Sequence, residues 1–75
     1  MNKKSIFQLI VNHTCSIVSE LEGHEFKPSD RLSDLGANSV DRAEIIMMTM
    51  EALCLKIPRV ELFGAKNIGE LVDVF

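Results

Sequence analysis

Ser39 lies where a glycine-containing loop, Gly36-Ala37-Asn38, runs into a long apolar-rich segment that begins Val40-Asp41. Asn and Ser are both strong N-caps, and helix formers with apolar spacing follow them, so a helix is predicted to begin at Asn38 or Ser39. The first turn of such a helix carries unpaired N–H groups and the positive end of the helix dipole. A phosphodiester esterified to Ser39 would gain about 0.3–1 kcal/mol there, which suits a phosphorylated cofactor. Nucleophilic catalysis by the serine is disfavoured, because it needs a base within hydrogen-bonding reach and neither His13 nor His24 is near it in sequence. On this local pattern alone, Ser39 reads equally well as a plain helix cap.

The remaining reactive side chains point to structure more than to chemistry. Cys15 and Cys54 fall in apolar stretches of separate predicted helices, without C-x-x-C spacing. They read as buried, reduced residues, with no disulfide and no metal site expected. His13 is placed in the first helix and His24 in a loop, each in a surface or half-buried structural role. Arg42, beside two acids, is compatible either with pairing to a neighbour or with contact to a phosphate on Ser39. No catalytic constellation is predicted.

Four helices are expected to position the serine, in an all-α, small four-helix bundle of three longer helices and one short one. The first is predicted from about Lys4 to Leu21, with Phe7, Ile10, Val11, Thr14, Ile17, Val18 and Leu21 on one face and Gly23 as its end. From His24 to Ala37 a long loop is expected, pinned to the core by Phe26, Leu32 and Leu35. Such a length is unusual in so small a chain unless it serves a site. The second helix is predicted from about Ser39 to Cys54 or Leu55. Its polar face is thin, so some of Met47, Met48 and Met50 should stay accessible, and accessible methionines suit changing partners. A short third helix is expected over about Pro58 to Phe63, with Pro58 in its first turn and Gly64 closing it. Asn67 then caps a final helix, with Glu70 completing a capping box and Ile68, Leu71, Val72 and Phe75 turned to the core.

Composition excludes several classes of function. The 75 residues, 47% of them hydrophobic, support one small core, and a single domain spanning 1–75 is expected. The apolar run near the N-terminus is too short and too interrupted for a signal peptide or a spanning helix, so the protein is expected to be cytoplasmic, with no membrane partner. Of the net charge of −3, all is carried by residues 34–75, where seven acids face four bases. An acidic surface beside Ser39 would steer basic partner proteins and repel nucleic acid.

Asp34-Leu35-Gly36-Ala37-Asn38-Ser39-Val40-Asp41, followed by a helix, Ile57-Pro58 and a final short helix, resembles the acyl carrier protein family over essentially the whole chain. The resemblance implies an acyl-carrier-like fold and 4′-phosphopantetheine, taken from coenzyme A, on the serine that matches the family's Asp-Ser-Leu motif, which is Ser39. Asn38 stands where the usual carrier has Asp, and Val40 where it has Leu; Asn still caps a helix but removes a negative charge beside the attachment point. A narrower resemblance rests on Asn38 to Met48, Ile57 to Leu62 and Gly64 to Leu71, which look like the freestanding donor carriers of polyketide β-branching cassettes.

That resemblance implies a carrier and not an enzyme: a monomer presenting a small acyl group, acetyl, to an HMG-synthase-like enzyme. It implies three further partners: a phosphopantetheinyl transferase, an acyltransferase and a decarboxylating ketosynthase. Candidate recognition residues are Asn38, Val40, Asp41, Arg42, Glu44, Met47 and Met48, on or near the exposed side of the second helix. Charge reversal at Asp41 with Glu44 is expected to slow transfer while leaving the fold intact. Two other readings fit the same residues: a carrier for fatty-acid, general polyketide or peptide synthesis, and a helical interaction module that never bears a cofactor.

Overall fold

Asn2 accepts a hydrogen bond from the Ser5 N–H at 2.8 Å and so starts the first helix, α1, Lys3–Ile17, one residue earlier than the apolar spacing indicates. The computed structural model describes residues 2–58, 62 and 64–75. α1 buries Ile6, Ile10 and Thr14, with Phe7, Ile17 and Val18 packed around them.

α1 ends well short of the expected Leu21. In its last turn Thr14 and Ser16 each donate their hydroxyl to the carbonyl four residues back, at Ile10 and Asn12. Val18 then leaves helical geometry, and Ser19–Leu21 forms a 3-10 turn. Gly23, at φ 88°, lies in the exposed turn beyond it and does not terminate α1 itself.

The loop from His24 to Ala37 is wound into hydrogen-bonded turns. The Gly36 N–H donates to the Ser33 carbonyl and the Ala37 N–H to the Leu32 carbonyl, which closes one turn with Gly36 at φ 99°, a left-handed conformation that glycine adopts at little cost. Leu32 and Ala37 are buried on either side of that turn, so the approach to Ser39 is anchored at both ends. Phe26 packs on the core, whereas Leu35 is half-buried and outside it.

α2, Ser39–Leu53, buries Ile45, Ile46 and Thr49 against α1. It closes one residue before the expected end. Cys54 adopts φ 55°, its N–H donates to the Glu51 carbonyl, and the Leu55 N–H reaches back to Met50 at 3.0 Å. This is the closure that glycine usually provides, made here without one. Cys54 is consequently turned off the helix and exposed, and Cys15 is half-buried. The expectation that both thiols are buried is corrected; both are free.

The short helix expected over Pro58–Phe63 falls on residues 59–61 and 63, outside the described residues; Leu62 is helical and buried. The last helix, α3, Ile68–Val74, buries Ile68, Leu71 and Val72 against α1, and Phe75 is half-buried. Asn67 accepts from the Glu70 N–H at 2.8 Å, but Glu70 does not complete the box. Two other first-turn donors are satisfied by the long loop instead: Ile68 N–H by the Asp30 carbonyl at 3.0 Å and Gly69 N–H by the Pro28 carbonyl at 2.8 Å. A Cβ at Gly69 would stand 3.0 Å from the Pro28 Cβ and 3.1 Å from its carbonyl oxygen, so the close approach needs glycine. Lys3 and Asp73 pair at 2.8 Å between α1 and α3.

Candidate functional site

The start of α2 is built by a reciprocal pair of bonds. The Asn38 side chain accepts from the Asp41 N–H at 2.8 Å, and the Asp41 carboxylate accepts from the Asn38 N–H at 3.3 Å. This capping box fixes where the helix begins. Asp41, a candidate recognition residue, thus also has a capping role, for which the Asn-x-x-Asp spacing is the sequence signal.

The box leaves two donors free. Ser39 and Val40 N–H groups have no hydrogen-bond partner among the described residues, and the Ser39 hydroxyl has none either. Ser39 is exposed. The site therefore offers one accessible alcohol beside unpaired amides at the positive end of a helix of 15 residues. Those features fit a phosphodiester on that oxygen. They do not fit a catalytic serine activated by a base of this chain. His13 is committed elsewhere, its Nδ1 2.9 Å from the Thr49 hydroxyl between α1 and α2, and His24 binds Asp30 at 3.2 Å and meets the Phe26 ring edge-on. Burial pushes the His13 pKa down, and the Lys27 N–H with the His24 side chain holds the Asp30 carboxyl below its usual value.

Val40, Glu44 and Met47 fall on one exposed stripe of α2, with Val40 71% and Met47 50% exposed. Glu51 continues it at the same helical spacing and was not picked from sequence. Asn38 is exposed at the head of the stripe. Asp41, Arg42 and Met48 are half-buried beside it, and Met50 packs on the core. Beyond the stripe, Met47, Cys54, Leu55 and Ile57 line an open, largely apolar groove. Arg42 makes no ion pair among the described residues; its Nε donates to the Asn38 carbonyl at 3.4 Å. Among those residues no group of three or more His, Cys, Asp or Glu is placed to hold a metal, and no helix is long and apolar enough to cross a membrane.

Residues 10–75 match the family model described as the phosphopantetheine attachment site. The chain belongs to the acyl carrier protein family. Its cofactor is 4′-phosphopantetheine. The carrier is 57% identical over 74 residues to the polyketide biosynthesis acyl-carrier-protein AcpK of Bacillus subtilis (strain 168), covering 99% of this chain and 90% of that protein. It is 37% identical over 67 residues to an acyl carrier protein of Prochlorococcus marinus (strain MIT 9515), covering 84% of each. In three dimensions it is similar to the chain of a solved complex described as the curacin biosynthetic pathway HMG synthase with acetyl donor-ACP. There the TM-score is 0.94 and the identity 55%, with 100% of this carrier and 96% of that chain covered.

Proposed function

We propose that this carrier bears its arm on Ser39 and donates a small acyl group, acetyl, to an HMG-synthase-like enzyme in polyketide β-branching. The observation that carries the proposal is likeness to the acetyl donor-ACP of the curacin complex along the full chain, at 55% identity and a TM-score of 0.94. The similarity to a polyketide carrier at 57% identity supports the same pathway class.

When bound, the arm supplies a terminal thiol that holds the acyl group as a thioester. The chain itself does the rest. Ser39 Oγ is the exposed nucleophile that a phosphopantetheinyl transferase takes up, and the free N–H groups of Ser39 and Val40 face the negative charge that results. The Asn38–Asp41 box holds that turn in place. Val40, Glu44 and Met47 present alternating apolar and acidic contacts to a basic partner surface, with Asn38, Asp41, Arg42 and Met48 at its edge. A tethered cargo reaches each active site at high local concentration without any new contact. In this scheme an acyltransferase and a decarboxylating ketosynthase supply the acetyl group, and residues 1–75 act as one carrier domain.

Incubation with coenzyme A and a broad-specificity transferase, followed by intact mass, tests the attachment. The mass should rise by one phosphopantetheinyl unit in the parent chain and not in the Ser39→Ala variant. Loading of that variant would overturn the assignment, and failure of the parent to load would favour the cofactor-free interaction module. Transfer from the acetylated carrier to an HMG-synthase-like enzyme then separates β-branching from fatty-acid or peptide synthesis.

A further inference from the structure

Met47, Met50, Leu55 and Ile57 line an open apolar groove at the C-terminal end of α2, where the left-handed closure at Cys54 turns the chain toward Pro58. Val40, Met47 and Leu55 are the large apolar side chains left exposed among the described residues, and the last two face this groove. Apolar surface gathered in one place marks an interaction site. The rim carries one charge of each sign: Glu51 and Lys56 both line it, both are exposed, and neither is ion-paired among the described residues. Such a rim is self-complementary. A basic protein surface drawn to Glu44 and Glu51 would meet Lys56 here, whereas a second copy turned about a two-fold axis sets each Glu51 against Lys56 of the other copy.

We propose that this groove is a self-association surface, occupied by the same groove of a second copy of the chain in an isologous dimer. Met47, Leu55 and Ile57 of the two copies cover one another, and two reciprocal Glu51–Lys56 pairs fix the register. The apolar contact supplies the affinity, because exposed ion pairs contribute little by themselves and act mainly on specificity. Eight residues a side line the groove, against roughly 20–30 in a standard stable interface, so the dimer is weak and forms toward millimolar concentration. Ser39 stays outside the contact, since it precedes Met47 by about 12 Å along the helix axis. Met47 is shared, because it also belongs to the α2 stripe proposed as the donor surface. Dimer and docked enzyme therefore exclude one another, while Ser39 itself stays uncovered. The exclusion rests on that donor surface; self-association does not.

The test uses the unloaded full chain under reducing conditions, so it depends neither on modification of Ser39 nor on disulfides. Sedimentation equilibrium from about 10 µM to about 1 mM should show the average mass rising from that of one chain toward that of two. In isotope-labelled protein the amides of Met47, Leu55, Lys56 and Ile57 should shift over the same range. Glu51→Lys and Lys56→Glu, each at an exposed position, should weaken association by about tenfold, because like charges then face each other twice across the axis. An equimolar mixture of the two variants should restore it, since each supplies the charge that the other lacks. A mass that stays at one chain at the highest concentration, shifts confined to other amides, or a mixture that associates no better than either variant alone would each overturn the dimer. So would groove amides that move only on addition of an HMG-synthase-like enzyme, an outcome that assigns the groove to that enzyme instead.

Discussion

Replacing Asn38 tests whether the turn that presents Ser39 is held by its cap. In the parent chain the Asn38 side-chain oxygen accepts the Asp41 N–H at 2.8 Å, and the Asp41 carboxylate returns a longer bond of 3.3 Å to the Asn38 N–H. Asn38→Ala deletes the shorter bond and leaves an exposed N–H to water, so the cost is that of a lost N-cap, about 1 kcal/mol within a range of about 0.5–2. For a chain of this size that lowers the melting temperature by about 4–8 °C. Asn38→Asp keeps the acceptor and adds a charge that favours the helix N-terminus by about 0.3–1 kcal/mol, offset by repulsion from the Asp41 carboxylate. Asn38→Gly should cost only a few tenths of a kcal/mol. The expected order of thermal stability by circular dichroism is therefore Asn about equal to Asp, then Gly, then Ala. The rate of phosphopantetheinylation should fall with Ala, because Ser39 then sits on a frayed turn. An Asn38→Ala variant that melts with the parent would refute the reasoning, since it would mean that the box contributes nothing to the start of α2.

Other perturbations read the same architecture. Glu44→Lys with Glu51→Lys, both exposed on the α2 stripe, should slow acyl transfer to a basic partner by about tenfold or more at low salt, with the loss shrinking as salt rises. Salt-independent kinetics would contradict the steering argument. Reversing Asp41 is a poorer test, because it also breaks the cap. Gly69→Ala should destabilise by about 1–2 kcal/mol. The added Cβ meets the Pro28 carbonyl, which the Gly69 N–H itself holds, and overpacking of about 1–3 kcal/mol outweighs the helix-propensity gain of roughly 0.5–1; a urea midpoint at or above that of the parent would exclude this. For His13 the sign follows from its lowered pKa: the unfolded chain takes up its proton near 6.5 and the folded chain only at lower pH. Stability should therefore decline as pH falls from 6.5 toward the folded value, and His13→Asn should flatten that limb of a pH series of urea melts. Asp30 acts lower on the scale. Its depressed carboxyl contributes above 3.8, and that contribution is lost as pH falls through the folded value below it.

The elements that carry their own local signals were legible. Asn38 and Asn67 both cap the helices expected of them, because a side-chain acceptor followed by apolar spacing is a short-range pattern. Ser39 stood out for the same reason. What escaped the sequence depends on partners distant along the chain or on a choice between competing local bonds. α1 stops at Ile17, where Val18 leaves helical geometry, although Leu21 keeps the apolar spacing; no short-range signal in the sequence marks that point. The Ile68 and Gly69 amides of α3 are capped by the Asp30 and Pro28 carbonyls, partners about 40 residues away along the chain, and the expected return bond from the Asn67 N–H to Glu70 is not made. Cys54 was expected inside because of its apolar neighbours; a left-handed closure without glycine carried it outward.

The Lys3–Asp73 pair bridges the two ends of the fold at 2.8 Å. A short designed peptide could therefore splice them into a continuous backbone, with fresh ends opened at the exposed Gly23 bend. In such a circular permutant the segment from Gly36 through α2 stays uncut, so the alcohol would keep its setting while the chain is threaded in a new order.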